Sequence, residues 1–377
     1  MTSRKVTTVM TKDHDINNTD NTKIPIKVVD RPTFILKTRE GENRAVSPNQ
    51  RNGAKKEAEG QAATSSKLIE YRSLLSSCIE MTKCKKFMDE DLLVGDNLSD
   101  YLIEQQDFLV VGVLGTQGVG KSTILSLLAS KNDIFSVQNA THHKSGSNCT
   151  TGIDFYVTKN RVIYLDTQPI LSSSMMTSTS SMLPEFINAD YNLELKSLEF
   201  TAFLYSVCHI IIFVQDWFVD PNLVRFLQTA EMLKPSSTSN LNQDYVEYYP
   251  HILFLHNKAE LQDLMPDNLE TMKDFYDKVF ANSRLQTHSG LDMNPCSTEG
   301  QLNLFLIPRI NSQGDESIIH SNEKELIEKL RSKIHGIPRN PMTPSTLTEK
   351  TWYHYATKAL EGIRNSHFCR EYGRLMP

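Results

Sequence analysis

With 377 residues, 45 acidic against 40 basic side chains and a net charge of −5, the chain has room for one large or two modest domains. It lacks the basic stripe expected of a nucleic-acid binder, so no direct nucleic-acid contact is expected. Its six cysteines, Cys78, Cys84, Cys149, Cys208, Cys296 and Cys369, form no C-x-x-C pair and have no histidine at finger-like spacing. That pattern argues against a zinc site or a disulfide framework and for free thiols in a reducing compartment. No apolar signal segment opens MTSRKVTTVMTKDHD, and the longest apolar runs, such as VCHIIIFV at 207–214, are too short to cross a bilayer. A soluble, cytoplasmic protein with no membrane partner is the expectation.

Residues 1–65 are polar, nearly free of aromatics and unable to bury enough surface to offset their ordering entropy; they read as a disordered tail. Residues 66–106 read as a helical lead-in. Leu68, Ile69, Tyr71, Leu74, Leu75 and Ile79 fall at helical spacing, and a second short helix is expected in LSDYLIEQQ with Ser99 as its cap. From 107 to 312 short apolar runs alternate with helical segments. The strands are DFLVVGVLG, GIDFYV, RVIYLD, HIIIFVQD, HILFLHN and NLFLIPRI, with helices in PEFINADYNLELKSLEFTAFLYS, PNLVRFLQTAEML and LETMKDFYDKVFANS. This is the signature of an α/β fold with a mostly parallel sheet covered by helices on both faces. The remainder, 313–377, reads as a helical extension. One helix is expected from a capping-box-like start at Asn322 and Glu325 to Gly336, and a last one from Glu349 to about Tyr372.

Between the first strand of the alternating region and its helix stands Gly115-Thr116-Gln117-Gly118-Val119-Gly120-Lys121-Ser122-Thr123, a complete G-x-x-x-x-G-K-[ST] loop. Glycine and small residues let successive N–H groups turn onto phosphates, and the helix opening at Lys121 adds its positive end. Lys121 would reach the β- and γ-phosphates, and the Ser122 hydroxyl would hold Mg²⁺. RVIYLD delivers Asp166 to the carboxyl end of the sheet, where P-loop proteins keep the acid that holds Mg²⁺. Thr150 and Thr151 lie between these elements, and Thr151 is the further metal candidate; His142 and His143 nearby read as solvated.

HILFLHNKAE places Asn257 and Lys258 where a G domain contacts the base and the loop, but Glu260 replaces the expected aspartate. The extra methylene displaces the carboxylate, and a good bidentate base contact is worth about 1–3 kcal/mol in the DNA setting. Guanine preference should be weakened, leaving GTP/GDP and ATP/ADP as competing ligands. The D-x-x-G element reads Asp166-Thr167-Gln168-Pro169 and is followed by Ile170. Proline has no N–H to offer a γ-phosphate, and isoleucine cannot orient water. Slow or absent hydrolysis and no conventional GTP/GDP switch follow, unless Gln168 substitutes. The Ser/Thr/Met-rich run 170–184 reads as a mobile loop or a surface ordered by a partner.

DFLVVGVLGTQGVGKS, LDTQPIL with its proline, HNKAE and the terminal TWYHYATKALEGIRNSHFCREYGRL together resemble the G-domain subunit of the nonsense-mediated mRNA decay kinase complex, of the SMG family, over residues 65–377. The resemblance implies a regulatory subunit rather than an enzyme. It would pair with a second, larger subunit that carries its own G-like domain. The pair would restrain a large phosphatidylinositol-3-kinase-like protein kinase. The apolar face of the terminal helix, with Trp352, Tyr353, Tyr355 and Phe368, either packs on its own domain or meets such a partner. The competing reading is an active GTPase of dynamin or guanylate-binding type that works through G-domain dimerisation. A P-loop nucleotide kinase would want an arginine-rich lid, and residues 167–250 hold only Arg225.

Overall fold

Six of the seven strands come from apolar runs whose residues are buried almost without exception, so the sheet that they build is covered on both faces. The computed structural model describes residues 79–95, 98–137, 148–172, 189–216, 218, 220–235, 247–294, 300–309, 316–366 and 371. The tail 1–65, the helix expected from Lys67, His142, His143, most of the 170–184 loop and Phe368 lie outside them.

The strands are β1 (Lys85–Met88), β2 (Leu109–Leu114), β3 (Ile153–Val157), β4 (Val162–Thr167), β5 (Ile210–Gln215), β6 (His251–Ala259) and β7 (Leu304–Pro308), in the order β1-β3-β4-β2-β5-β6-β7. β2, β4, β5, β6 and β7 run parallel, while β3 is antiparallel to β4 and β1 antiparallel to β3. Central β2 has β4 on one side and β5 on the other. The chain therefore winds outward in opposite directions from its carboxyl end, where a ligand crevice opens in such sheets.

The helices are α1 (Lys121–Leu128), α2 (Ala189–Val207), α3 (Pro221–Leu233), α4 (Pro266–Val279), α5 (Glu316–Gly336) and α6 (Glu349–Arg364). Local chemistry fixes several starts. Asp220 accepts the Asn222 N–H ahead of Pro221, and Thr348 and Thr351 form a reciprocal capping box for α6. α1 packs against α5, and α2 against α3 and α6. α2 is buried nearly all round, from Leu198 to Val207, because the sheet takes one side and α3 and α6 the others.

Four expectations change. Among its described residues the lead-in contains the edge strand β1 and a single 3-10 turn, Ser99–Tyr101, with no side-chain cap, and no α-helix forms over 79–95 or 98–106. KKFM was too short to register as a strand, and it forms because the backbone of β3 is open to pairing. α5 begins at Glu316, so Asn322 lies inside a helix that no upstream breaker stops. α6 ends at Arg364, with Asn365 as its cap, so the expected helix is broken at Asn365 and Ser366; Glu371 is helical again, and Tyr372 lies outside the described residues.

The apolar face of α6 is spent inside the domain. Trp352 is fully buried and its indole N–H donates to the Val207 carbonyl (2.9 Å), while the Tyr355 hydroxyl donates to that of Ser206 (3.1 Å). These two carbonyls belong to the last turn of α2 and have no partner within that helix, so α6 caps α2 as well as covering it. Below it, Glu349 is wholly buried and ion-paired with Arg161 of the β3–β4 turn.

Candidate functional site

The loop Gly115–Gly120 follows β2 directly and turns into α1 at the topological centre of the sheet. Val119 is buried and anchors the loop, Thr116 is half-buried, and Gln117, Gly118 and Thr123 are exposed along the cleft. Gly120 caps α1 with φ +98°, and a Cβ there would land on the Asn257 amide nitrogen. Gly120→Ala is therefore expected to cost at least about 1–2 kcal/mol from backbone handedness alone, read as a lowered urea midpoint. A midpoint equal to the native one would show that the loop relaxes freely.

The Lys121 side chain folds back over this loop, with its ammonium donating to the carbonyls of Gly115 (3.0 Å) and Thr116 (2.9 Å). It is 6% exposed, and burial pushes its pKa down to about 8 against the opposing pull of Asp166. At the next residue, the Ser122 hydroxyl donates to Asp166 Oδ2 (2.6 Å), and Thr150 Oγ1 donates to the same oxygen (3.2 Å). Burial raises the Asp166 carboxyl to about 6, although the Ser122 hydrogen bond and the Lys121 charge lower it. Asp166 Oδ1 is buried without a hydrogen-bond partner among the described residues. A buried carboxylate oxygen without a donor, beside two hydroxyls, is an oxygen set that fits a hard divalent cation such as Mg²⁺, while the Lys121 ammonium suits the phosphates that such a cation accompanies. Of the two threonines, Thr150 is buried here, whereas Thr151 is exposed and offers only its carbonyl, to Lys86 Nζ (2.5 Å). Period-two alternation into β3 separates the pair, which the polar sequence SGSNCTTG did not reveal.

The D-x-x-x segment leaves β4 in a closed form. The Gln168 side chain is 3% exposed and accepts the Gly152 N–H (2.7 Å), while the Gln168 N–H donates to the Gly152 carbonyl (2.7 Å). The amide thus clasps the start of β3 instead of facing the cleft. Pro169 lines the cleft without an N–H, and the Ile170 N–H donates to the Gly115 carbonyl (3.2 Å). Ser172 Oγ donates to Asn148 Oδ1 (2.8 Å), tying the ends of the two loops that flank the metal-type cluster.

At the far end of the cleft, Asn257 Nδ2 donates to the Val119 carbonyl (2.8 Å) and Lys258 Nζ to that of Gly118 (2.8 Å). Lys258 has φ +58°, a conformation costing about 1–2 kcal/mol for an L-residue; the loop contact and the ion pair with Asp216 (3.3 Å) hold it there. Glu260 is exposed. Its N–H donates to Asp263 Oδ2 (2.8 Å), and its carboxylate accepts from Gln262 Nε2 (2.9 Å) within its own turn. The cleft, about 510 Å³, runs from the P-loop past Thr150, Pro169, Asn257 and Lys258 to Pro308 and Arg309 at the carboxyl end of β7. Glu260 is not among its lining residues. Pro308 and Arg309 went unnoticed in the sequence, although the parallel order of β6 and β7 puts their strand ends side by side.

Comparison with known proteins finds relatives over most of the chain. Residues 104–257, from the lead-in through the P-loop to Asn257, match the Smg8_Smg9 family model. The chain is 35% identical over 418 residues to the nonsense-mediated mRNA decay factor SMG9 of Salmo salar, covering 93% of this chain and 83% of that protein. It is 38% identical over 337 residues to the SMG9 of Xenopus laevis, covering 77% of this chain and 66% of that one, and 30% identical to Protein SMG9 of Drosophila melanogaster, covering 66% and 51%. A bacterial selenocysteine-specific elongation factor, EF-Sec, superposes with a TM-score of 0.30 and 12% identity over 59% of this chain and 29% of that one, too slight a likeness to bear on the fold. With identity at this level over most of its length, the chain belongs to the SMG9 family of nonsense-mediated mRNA decay factors.

Proposed function

We propose that the chain is a nucleotide-binding, catalytically weak G-domain subunit of the decay machinery. In this reading it pairs with a second G-like subunit and, through that pair, restrains a phosphatidylinositol-3-kinase-like protein kinase. The cluster of Lys121, Ser122, Thr150 and Asp166 at the mouth of a glycine loop carries the nucleotide part. The loop N–H groups and the start of α1 receive the phosphates, and Lys121 turns from the loop carbonyls to the anionic oxygens. Ser122 and Asp166, with Thr150, would hold Mg²⁺, which supplies charge neutralisation to the phosphates when bound. Asn257 and Lys258 couple the base end of the cleft to the loop. The pairing and the kinase rest on the family resemblance.

Weak catalysis follows from where the polar groups are spent. Gln168 is engaged with Gly152, Pro169 has no N–H, and the Ile170 N–H is taken by Gly115, so the groups that sense a γ-phosphate and orient water in an active G domain are lacking at these positions. The bound nucleotide serves as a structural ligand.

The test is to purify the full chain without added nucleotide, denature it and identify what elutes by ion-pair chromatography, then measure phosphate release. Co-eluting guanine or adenine nucleotide is expected, with turnover at or below about 10⁻³ s⁻¹, the level of an unassisted G domain. A chain that elutes empty and takes up neither nucleotide at millimolar concentration would sink the nucleotide reading. Release that accelerates with protein concentration would favour the dimerising GTPase instead.

A further inference from the structure

We infer that Arg309, at the carboxyl end of β7, is the residue that sets base preference in the cleft, and that it favours a base presenting a carbonyl edge, guanine, over one presenting an amino group, adenine. The inference deepens the proposed nucleotide site and rests on it.

Three observations carry it. The acid that the N-K-x-acid pattern offers as base reader is withdrawn: Glu260 is exposed, hydrogen-bonded to Gln262 within its own turn, and absent from the cleft wall. β7 lies parallel to β6, with Pro308 opposite Ala259, which brings the residue after the strand alongside the base-contacting turn. That residue, Arg309, lines the cleft, and its N–H donates to the Ala259 carbonyl (2.9 Å), which fixes its backbone against the Asn257–Lys258 turn. Pro308 has no N–H to give a base, and the Arg309 N–H is already used, so the main chain at this point offers a ligand no donor.

The guanidinium has no hydrogen bond or ion pair among the described residues, unlike Glu323, which shares the cleft wall but has a partner of its own. Arginine carries five donors and no acceptor. It can pair with the O6 and N7 acceptors of guanine, whereas the exocyclic amine of adenine presents a donor to a donor. Lys258, held by the Gly118 carbonyl and Asp216, is the neighbouring cleft residue on the turn from which Glu260 has swung away. Discrimination is thereby moved from the β6 turn to the end of β7.

The experiment is titration of the full-length chain with fluorescent methylanthraniloyl-GDP and methylanthraniloyl-ADP, comparing native protein with Arg309→Ala and Glu260→Ala. Arg309 is exposed, so its replacement leaves the fold intact, which a melting curve checks. The ratio of the two dissociation constants is expected to shift toward adenine by about tenfold in Arg309→Ala, equivalent to about 1.4 kcal/mol. An unchanged ratio in Arg309→Ala, or a shift produced by Glu260→Ala instead, overturns the inference while leaving the nucleotide site standing. Failure of the native chain to bind either probe overturns both the site and the inference.

Discussion

Lys121→Met is expected to weaken binding of GDP, GTP and their adenine counterparts by about 100-fold, about 2.7 kcal/mol, in a fluorescence titration with Mg²⁺ present. Lys121 is the cation buried against the loop, and its ammonium already lies within hydrogen-bond distance of two carbonyls of the phosphate cradle. Hydrogen bonds from a charged group are each worth about 1.5–3 kcal/mol when the partner is also desolvated. Methionine keeps the length and the apolar stem, so the packing beneath the loop survives and the charge alone is removed. The same variant without ligand should melt close to the native temperature, since the Gly115 carbonyl keeps the Ile170 N–H and that of Thr116, on a half-buried loop residue, can turn to water. Binding within about threefold of native, less than 1 kcal/mol, would mean that the loop amides alone hold the phosphates and that the lysine is a loop staple.

Where the chain puts a motif on regular structure, the sequence was a sufficient guide. Six apolar runs became β2 to β7, and the glycine loop, Asp166, Asn257 and Lys258 converge at the carboxyl edge that alternation required. What escaped is non-local. Pattern alone does not say that β3 runs antiparallel, because its burial is the same in either direction. Which of Thr150 and Thr151 faces Asp166 depends on the phase in which the loop enters β3, and a one-residue slip exchanges them. Gln168 read as a possible water-orienting group and proves to be a clasp on Gly152, whose N–H its side-chain carbonyl accepts and whose carbonyl its own N–H reaches. The Glu260 substitution was visible, but its consequence was not: the acid turns to Gln262, and the cleft closes on Arg309 from a strand about fifty residues further along the chain. The aromatic face of the last helix was legible as apolar; only the burial of α2 shows that this face is needed inside the domain.

That last point makes Glu349→Ala the substitution with the largest expected effect on stability, a loss of about 3–5 kcal/mol, because it takes the carboxylate counter-charge from a buried guanidinium. The Arg161 and Glu349 side chains are 5% and 0% exposed. Arg161 Nε donates to Glu349 Oε1 (2.6 Å), Arg161 Nη2 pairs with Oε2, and the Ile103 N–H donates to Oε2 as well (2.9 Å). One carboxylate thus joins α6, the β3–β4 turn and the lead-in. A typical domain is stable by only about 5–15 kcal/mol, so the variant should show a large drop in urea midpoint and reduced soluble yield. Glu349→Gln retains an acceptor for Ile103 and should cost less. The double variant Arg161→Met with Glu349→Leu removes both charges and should recover most of the loss, short by about 1–3 kcal/mol for the Ile103 N–H left without its acceptor and the Tyr101 carbonyl left without the Arg161 donor. If Glu349→Ala melts with the native protein, the pair is solvated in solution and α6 is not locked to the sheet. The series also separates folding from pairing: a defect in partner capture by Glu349→Ala bears on the proposed subunit contact only if the double variant regains the native midpoint and still fails to capture.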